Sequence, residues 1–232
     1  MSTIFDIAKR ANVSVMTVSR VFNNPDIVSD KTIQKVHKIM DDMGYHPSRI
    51  ARSLKKKQTN TIGVIMPDIK NTFFNNWFRY VEDFASSHNY NLLLCNTDEE
   101  PAKELKYIKL LHSQRVDGIL IVPHSQKSIE YLQKTGIPFI SVDRIFKEPD
   151  TDYVTTDHYY GAFNAVEYLI RLGHKRIAIL KGPGIIYPDI QRYSGSTDAL
   201  KHHGIKPDPS LILNCEFDEA KAYKSVIQLF RS

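Results

Sequence analysis

Apolar positions along the chain change their period once, near residue 60. Before that point they recur at helical spacing. Ile4, Ile7, Ala8 and Ala11 fall at i, i+3, i+4 and i+7, predicting a short helix that Thr3 caps, with Asp6 three residues on as a capping-box variant. Ala11-Asn12-Val13 reads as a tight turn, because Asn12 tolerates the left-handed backbone that ends a helix. Ser14 then caps a second helix, and Val18, Val21 and Phe22 form its buried face. Asn23-Asn24-Pro25-Asp26 is a turn signal. Ser29 is expected to cap a third helix to about Met43, with Ile33, Val36, Met40 and Met43 as its stripe and Gly44 as its stop. Three such helices make a small head near the lower size limit for independent folding.

From Thr61 short, continuously apolar runs alternate with helical stretches. The predicted strands are TIGVIM (61–66), NLLLC (91–95), GILIV (118–122), PFISV (138–142), YVTT (153–156), RIAIL (176–180) and LILNC (211–215). Helices are expected over 74–87, 101–113, 127–134, 160–172, 191–202 and from Glu219 onward. Repeated strand-helix units with uniformly apolar strands predict a parallel, doubly wound α/β sheet with helices on both faces. Ligands of such sheets bind beyond the carboxyl ends of the strands. Those ends offer Asp68, Asn71, Phe73 and Phe74, then Asn96 and Asp98, His124, Asp143 with Arg144, Asp157, and the loop carrying Arg192.

Between the two patterns lies Pro47–Lys57, with five basic residues and Leu54 on no obvious core. It is either a plain basic linker or a segment that folds on DNA, its lysines on phosphate and Leu54 wedged into the minor groove.

Composition narrows the function. A hydrophobic content of 42% with 25% charged residues is that of a soluble globular chain. No apolar run approaches a membrane span and the N-terminus lacks a secretion signal's apolar core, so the cytoplasm is expected. Cys95 and Cys215 each sit in an apolar run and are expected as reduced core residues. The nine histidines show no metal-ligand spacing, and neither metal nor cofactor is expected. Residues 1–60 hold eleven Lys and Arg against five Asp and Glu, a net +6, while the remainder holds twenty against twenty-one, a net −1. A basic excess confined to the head and linker is the footprint of a polyanion binder. Val15, Met16, Thr17, Ser19 and Arg20 lie near the exposed side of the second helix, which fits a DNA major groove; alone, the stretch is equally a helical corner.

The combination resembles the lactose/galactose repressor (LacI/GalR) family. The resemblance rests on TIFDIAKRANVSVMTVSRVFNN (3–24), VSDKTIQKV (28–36), GYHPSRIARSL (44–54), TIGVIMPDIKNTFF (61–74), RVDGILIV (115–122), VTTDHYYGA (154–162), LIRLGHKRIAILKGP (169–183) and the spaced Arg192 and Gly195. The head is especially similar to that of purine repressors, the sensor to that of catabolite-control members. It implies a helix-turn-helix head (1–47), a hinge helix and linker (48–60), and a two-lobed sensor of the type I periplasmic-binding-protein kind (61–160 and 161–232), the second lobe incomplete. A homodimer would place two recognition helices on palindromic operator DNA. By this resemblance the DNA-contacting residues are Thr3, Ser14, Val15, Met16, Thr17, Ser19, Arg20 and Asn23 in the head, with Ser48, Ala51, Leu54 and Lys55 in the hinge. Arg20 suits guanine, and Leu54 matches the family's minor-groove lever. Asn71, Phe73, Phe74, Asp143, Asp157 and Arg192 match effector positions, for a small metabolite such as a sugar or sugar derivative.

Family members continue beyond this chain's last residue, so a truncated second lobe with exposed apolar surface is expected. The expected function is a regulator of transcription, most often a repressor. The alternative is a small-molecule binding module in which truncation leaves little ligand-controlled DNA binding. An enzyme is not expected: Gly182-Pro183-Gly184 does not continue as GxGxxG, and neither GxSxG nor a P-loop occurs.

Overall fold

A computed structural model describes residues 3–45, 58–146 and 151–231. The chain divides into two compact units, residues 1–59 and 60–232.

In the first unit, α1 (Ile4–Ala11) opens with a reciprocal cap: Thr3 Oγ1 accepts the Asp6 N–H at 3.3 Å, and the Asp6 carboxylate accepts the Thr3 N–H at 2.8 Å. The Thr3 hydroxyl also donates to the Asp6 carboxylate at 2.7 Å, and this bond first, then that from the Thr3 N–H, holds the Asp6 carboxyl below its ordinary pKa. Asn12 ends the helix at φ 54° and ψ 49°. Ser14 Oγ accepts the Thr17 N–H at 3.0 Å and starts α2 (Val15–Asn23). A 3-10 turn (Pro25–Ile27) leads to α3 (Asp30–Met43), which Gly44 stops at φ 57°. Ile7, Ala11, Val18 and Val36 are fully buried where the three helices meet. Val36 and Met40 of the expected stripe are buried, and Ile33 and Met43 pack at its edge. Ser29 stands at the head of α3 without capping a backbone N–H; its hydroxyl pairs with that of Thr32 at 2.9 Å instead. The hinge residues Ser48, Ala51, Leu54 and Lys55 lie outside the described residues.

The second unit is built on two parallel sheets. β1 (Thr61–Met66), β2 (Asn91–Asn96), β3 (Gly118–Ile121), β4 (Phe139–Val142) and β5 (Tyr153–Val154) pair in the order β2-β1-β3-β4-β5. The crossovers are α4 (Thr72–Ser87), α5 (Pro101–Ser113) and α6 (Gln126–Thr135). Side-chain alternation splits the core. Ile65, Cys95, Ile119 and Ile121 meet Ile108 and Leu111 of α5 and Ile129 and Leu132 of α6. Val64, Met66 and Val122 pack with Phe74, Trp77 and Phe78 of α4 on the other face. Both cysteines are buried and free, and burial pushes the Cys95 thiol up to about 11.

α7 (His158–Arg171) packs along α8 (Tyr187–His202) through Val166, Ala199 and Leu200. Beside them β6 (Ile179–Lys181) pairs in parallel with β7 (Ile212–Asn214), and α9 (Glu219–Arg231) follows. β6 starts three residues later than the apolar run from Arg176 predicts. Its partner supplies only three ladder positions, beginning at Ile179↔Ile212. On α9 Tyr223 and Phe230 are 69% and 84% exposed. Among the described residues no helix is long and apolar enough to cross a membrane, and no His/Cys/Asp/Glu cluster could hold a metal ion.

The α7–α8 contact is close enough to depend on a missing side chain. A Cβ at Gly195 would come within 2.1 Å of the Tyr159 carbonyl oxygen, whereas one at Gly161 would meet nothing within 4 Å. Gly195→Ala is expected to cost about 2 kcal/mol or more in urea unfolding. Gly161→Ala, in open space on a helix, should gain up to about 1 kcal/mol. Equal effects of the two would contradict this packing.

Candidate ligand cleft and nucleic-acid interface

On the head, the expected DNA-contacting side chains divide into two groups. Met16 and Arg20 of α2 are exposed, Met16 at 63%. Thr3 and Ser14 are occupied as helix caps, at N-termini whose free backbone N–H groups suit phosphate. The Thr17 hydroxyl pairs with that of Ser14 at 2.9 Å, and Asn23 Nδ2 donates to the Ser19 carbonyl at 2.9 Å, so these polar groups are held in fixed orientations. Val15 is the weakest of the set: it is half-buried and packs on the head's core.

In the second unit, loops from both sheets surround a cavity of about 520 Å³, within the usual span of small-molecule sites. The β1–α4 loop contributes Asp68 and Asn71, and the first turn of α4 contributes Phe73 and Phe74. The loops after β2, β3 and β4 contribute Glu99, His124, and Asp143 with Arg144. Facing them are His158 at the start of α7, Ile185, Ile186 and Arg192 around the start of α8, and Glu216 with Phe217 after β7. Glu99, Asp143, Glu216 and Phe217 all have φ between 51° and 65°. Such left-handed backbone in non-glycine residues is uncommon and concentrates at ligand clamps.

The polar wall is organised by buried charge. Arg144, 5% exposed, donates from both Nη atoms to Glu99 at 2.7 and 2.6 Å. His124 Nδ1 lies 2.8 Å from the same carboxylate. Burial pushes the Glu99 carboxyl up, but Arg144 and His124 outweigh it and hold the pKa below its ordinary value. Glu104 of α5 is wholly buried beneath this group and accepts the backbone N–H of His124 at 2.7 Å and of Ser125 at 3.2 Å. Across the cleft His158 Nε2 lies 3.0 Å from Asp143 Oδ1, and Arg192 sits 5.8 Å from the Phe217 ring centroid. Paired donors and acceptors beside the exposed faces of Phe73 and Phe217 suit a small polyhydroxylated molecule, which presents both hydroxyls and C–H faces.

Residues 3–48 match the bacterial regulatory proteins of the lacI family, and residues 59–232 match the periplasmic binding proteins and sugar binding domain of the LacI family. The chain belongs to the LacI family. The HTH-type transcriptional regulator DegA of Bacillus subtilis is 37% identical over 221 residues, covering 93% of this chain and 66% of that protein. The ribose operon repressor of Halalkalibacterium halodurans is 37% identical over 223 residues, covering 95% of this chain. The chain spans 66% of the length of each of these two relatives. Among solved structures, a lac repressor dimer bound to operator and the anti-inducer ONPF superposes with a TM-score of 0.85 at 25% identity, covering 99% of this chain and 70% of that one.

Five of the six effector positions expected in this LacI-family chain come together in the cleft: Asn71, Phe73, Phe74, Asp143 and Arg192. Asp157 does not line it. Its carboxylate accepts the Tyr160 N–H at 2.8 Å and caps α7, leaving the cleft to its neighbour His158. Asn96 and Asp98 likewise brace the loops, Asn96 accepting the Ile69 N–H at 2.8 Å and donating to Asp98 at 2.6 Å. Asp68, His124 and Arg144, which the strand ends offer but the family resemblance does not mark, also line the cleft, whereas Glu99, His158 and Phe217 are not expected from the sequence. Extending the strand-end rule to the strand ending at Asn214 points to Phe217.

Glu104 gives this wall a pH signature. Burial raises its carboxyl above the ordinary value of 4.5, more than the Ser128 hydroxyl and the His124 and Ser125 amides lower it. Between the unfolded and folded values the native state binds more protons, so this group's contribution is full below about pH 4.5 and lost as pH rises through the folded value. Glu104→Gln removes that titration. In urea unfolding the variant should therefore lose less stability, relative to the parent, near neutral pH than near pH 4.5. A parent–variant difference independent of pH would refute the assignment.

Proposed function

We propose that this chain is the DNA-binding and effector-sensing part of a cytoplasmic transcriptional regulator, acting as a repressor. It binds a palindromic operator as a homodimer and responds to a small sugar or sugar derivative in the cleft. The observation that carries the reading is the solvent face of α2. Met16 and Arg20 project from a helix whose other side is locked into the head by Val18 and Val21, and the head and hinge hold the chain's basic excess. Such a helix lies in the major groove with its exposed side chains on base edges and its capped N-terminus at phosphate. The effector half of the reading is supported by the cleft's mixed donors and acceptors between two aromatic faces, and by the ribose operon repressor among its relatives. Dimerisation is supported by the likeness to a lac repressor dimer solved on its operator. In this reading the hinge residues Ser48, Ala51, Leu54 and Lys55 follow the DNA, Leu54 as the wedge at a flexible pyrimidine–purine step.

Selection of sites from random duplex DNA by the purified chain, at two salt concentrations, tests the proposal. A palindrome with a central pyrimidine–purine step is the expected result; salt-sensitive binding blind to sequence would overturn it. Arg20→Ala is expected to relax preference at one base per half-site and cost about 1–3 kcal/mol on the selected operator. An unchanged preference profile would place Arg20 on phosphate.

A further inference from the structure

Three side chains in the wall of the cleft form one hydrogen-bonded chain. His158, the first residue of α7, places Nε2 3.0 Å from Asp143 Oδ1 and Nδ1 3.4 Å from Nη1 of Arg192 on α8. The His158 and Asp143 side chains are 9% and 12% exposed, so water competes weakly for their contact. A carboxylate only accepts and a guanidinium only donates. Nε2 therefore carries the proton given to Asp143, and Nδ1 offers its lone pair to Arg192. This is one tautomer of the neutral imidazole. A second proton turns Nδ1 into a donor facing a donor and sets a cation against a cation. The same proton converts the contact with Asp143 into an ion pair.

We propose that His158 is a proton-controlled positioning residue of the cleft. Neutral, it joins Asp143 and Arg192 in a single chain; protonated, it keeps Asp143 and releases Arg192. The other charged groups around the ring are engaged elsewhere. On α7, Asp157 caps the helix and the Tyr159 hydroxyl donates to Asp198. From the five-stranded sheet, Glu99 holds Arg144 and His124, and Asp68 accepts the Lys70 N–H. From the two-stranded sheet, Glu216 pairs with Lys221. Asp143 and Arg192 are thus the charged partners of the ring among the described residues.

The consequence for binding rests on the sugar-sensing reading. A neutral polyhydroxylated effector that bonds Asp143 and Arg192 together selects the neutral ring. Its dissociation constant then rises toward tenfold per pH unit below the titration of His158. An effector whose anionic group prefers the protonated ring would show the opposite slope.

The test needs no effector, so it stands apart from the success or failure of that reading. In the full chain labelled with nitrogen-15, long-range spectra of the imidazole nitrogens report tautomer and protonation, and the Arg192 side-chain N–H reports its environment. His158→Gln assigns the ring signals and supplies an amide donor and acceptor that do not titrate. The expected result is a neutral ring protonated at Nε2 and an Arg192 signal that shifts with the ring's midpoint. That shift should be absent in His158→Gln, and Asp143→Asn should lower the midpoint by removing the carboxylate. A neutral ring protonated at Nδ1, or an Arg192 signal that is constant in the parent or moves equally in His158→Gln, would overturn the proposal.

Discussion

A strand that pairs in parallel with its neighbour has to be entered from the same edge of the sheet, so the chain must travel back, usually along a helix, before each new strand. In this protein that constraint delivers the segments after β1, β2, β3 and β4 to one edge, and the segments after β6 and β7 to the corresponding edge of the second sheet. Side chains more than a hundred residues apart, such as Phe74 and Phe217, therefore share a cavity without any local sequence relation. The LacI-family head has no comparable constraint. Its geometry is local, set by three helices, two of them opened by side-chain caps, around Ile7, Val18 and Val36.

Buried charge then turns a generic strand edge into a specific wall. Arg144 and Glu99 come from different loops, and their bidentate pair ties the end of β4 to the start of α5. Glu104 does the same for the β3–α6 loop by accepting two backbone N–H groups. Each pairing is costly to break, because a partner left behind would be an uncompensated buried charge or donor. The positions of His124 and Asp143 follow from these ties rather than from any preference of their own backbone.

The head was legible in the sequence almost residue by residue, since caps, stripes and the Asn12 and Gly44 stops act within a few positions. The strands themselves and most of their boundaries also followed from apolar runs, but their order in the sheet did not. The run from Arg176 misled because strand length depends on the partner, and β7 is short. Asp157 misled for a related reason: as the residue before a helix it has two possible uses, and the backbone N–H of Tyr160 claims it. His158 was hidden because the sequence carries no local mark of a side chain's direction, and the strand-end rule reaches Phe217 without giving its direction either. Only the packing of α7 on α8, and of Phe217 against Gly182, supplies one.

The left-handed residues around the cleft bear on how such a site diverges. Asp143, Glu99, Glu216 and Phe217 hold backbone conformations that β-branched side chains adopt only at a penalty of about 1–3 kcal/mol. Valine, isoleucine and threonine are thus filtered out there before any question of ligand arises, and drift is channelled toward aspartate, asparagine and glycine. Phe73 and Ile185, on ordinary backbone, carry no such filter. Substitution at those two positions meets only the demands of the cleft itself, not of the backbone.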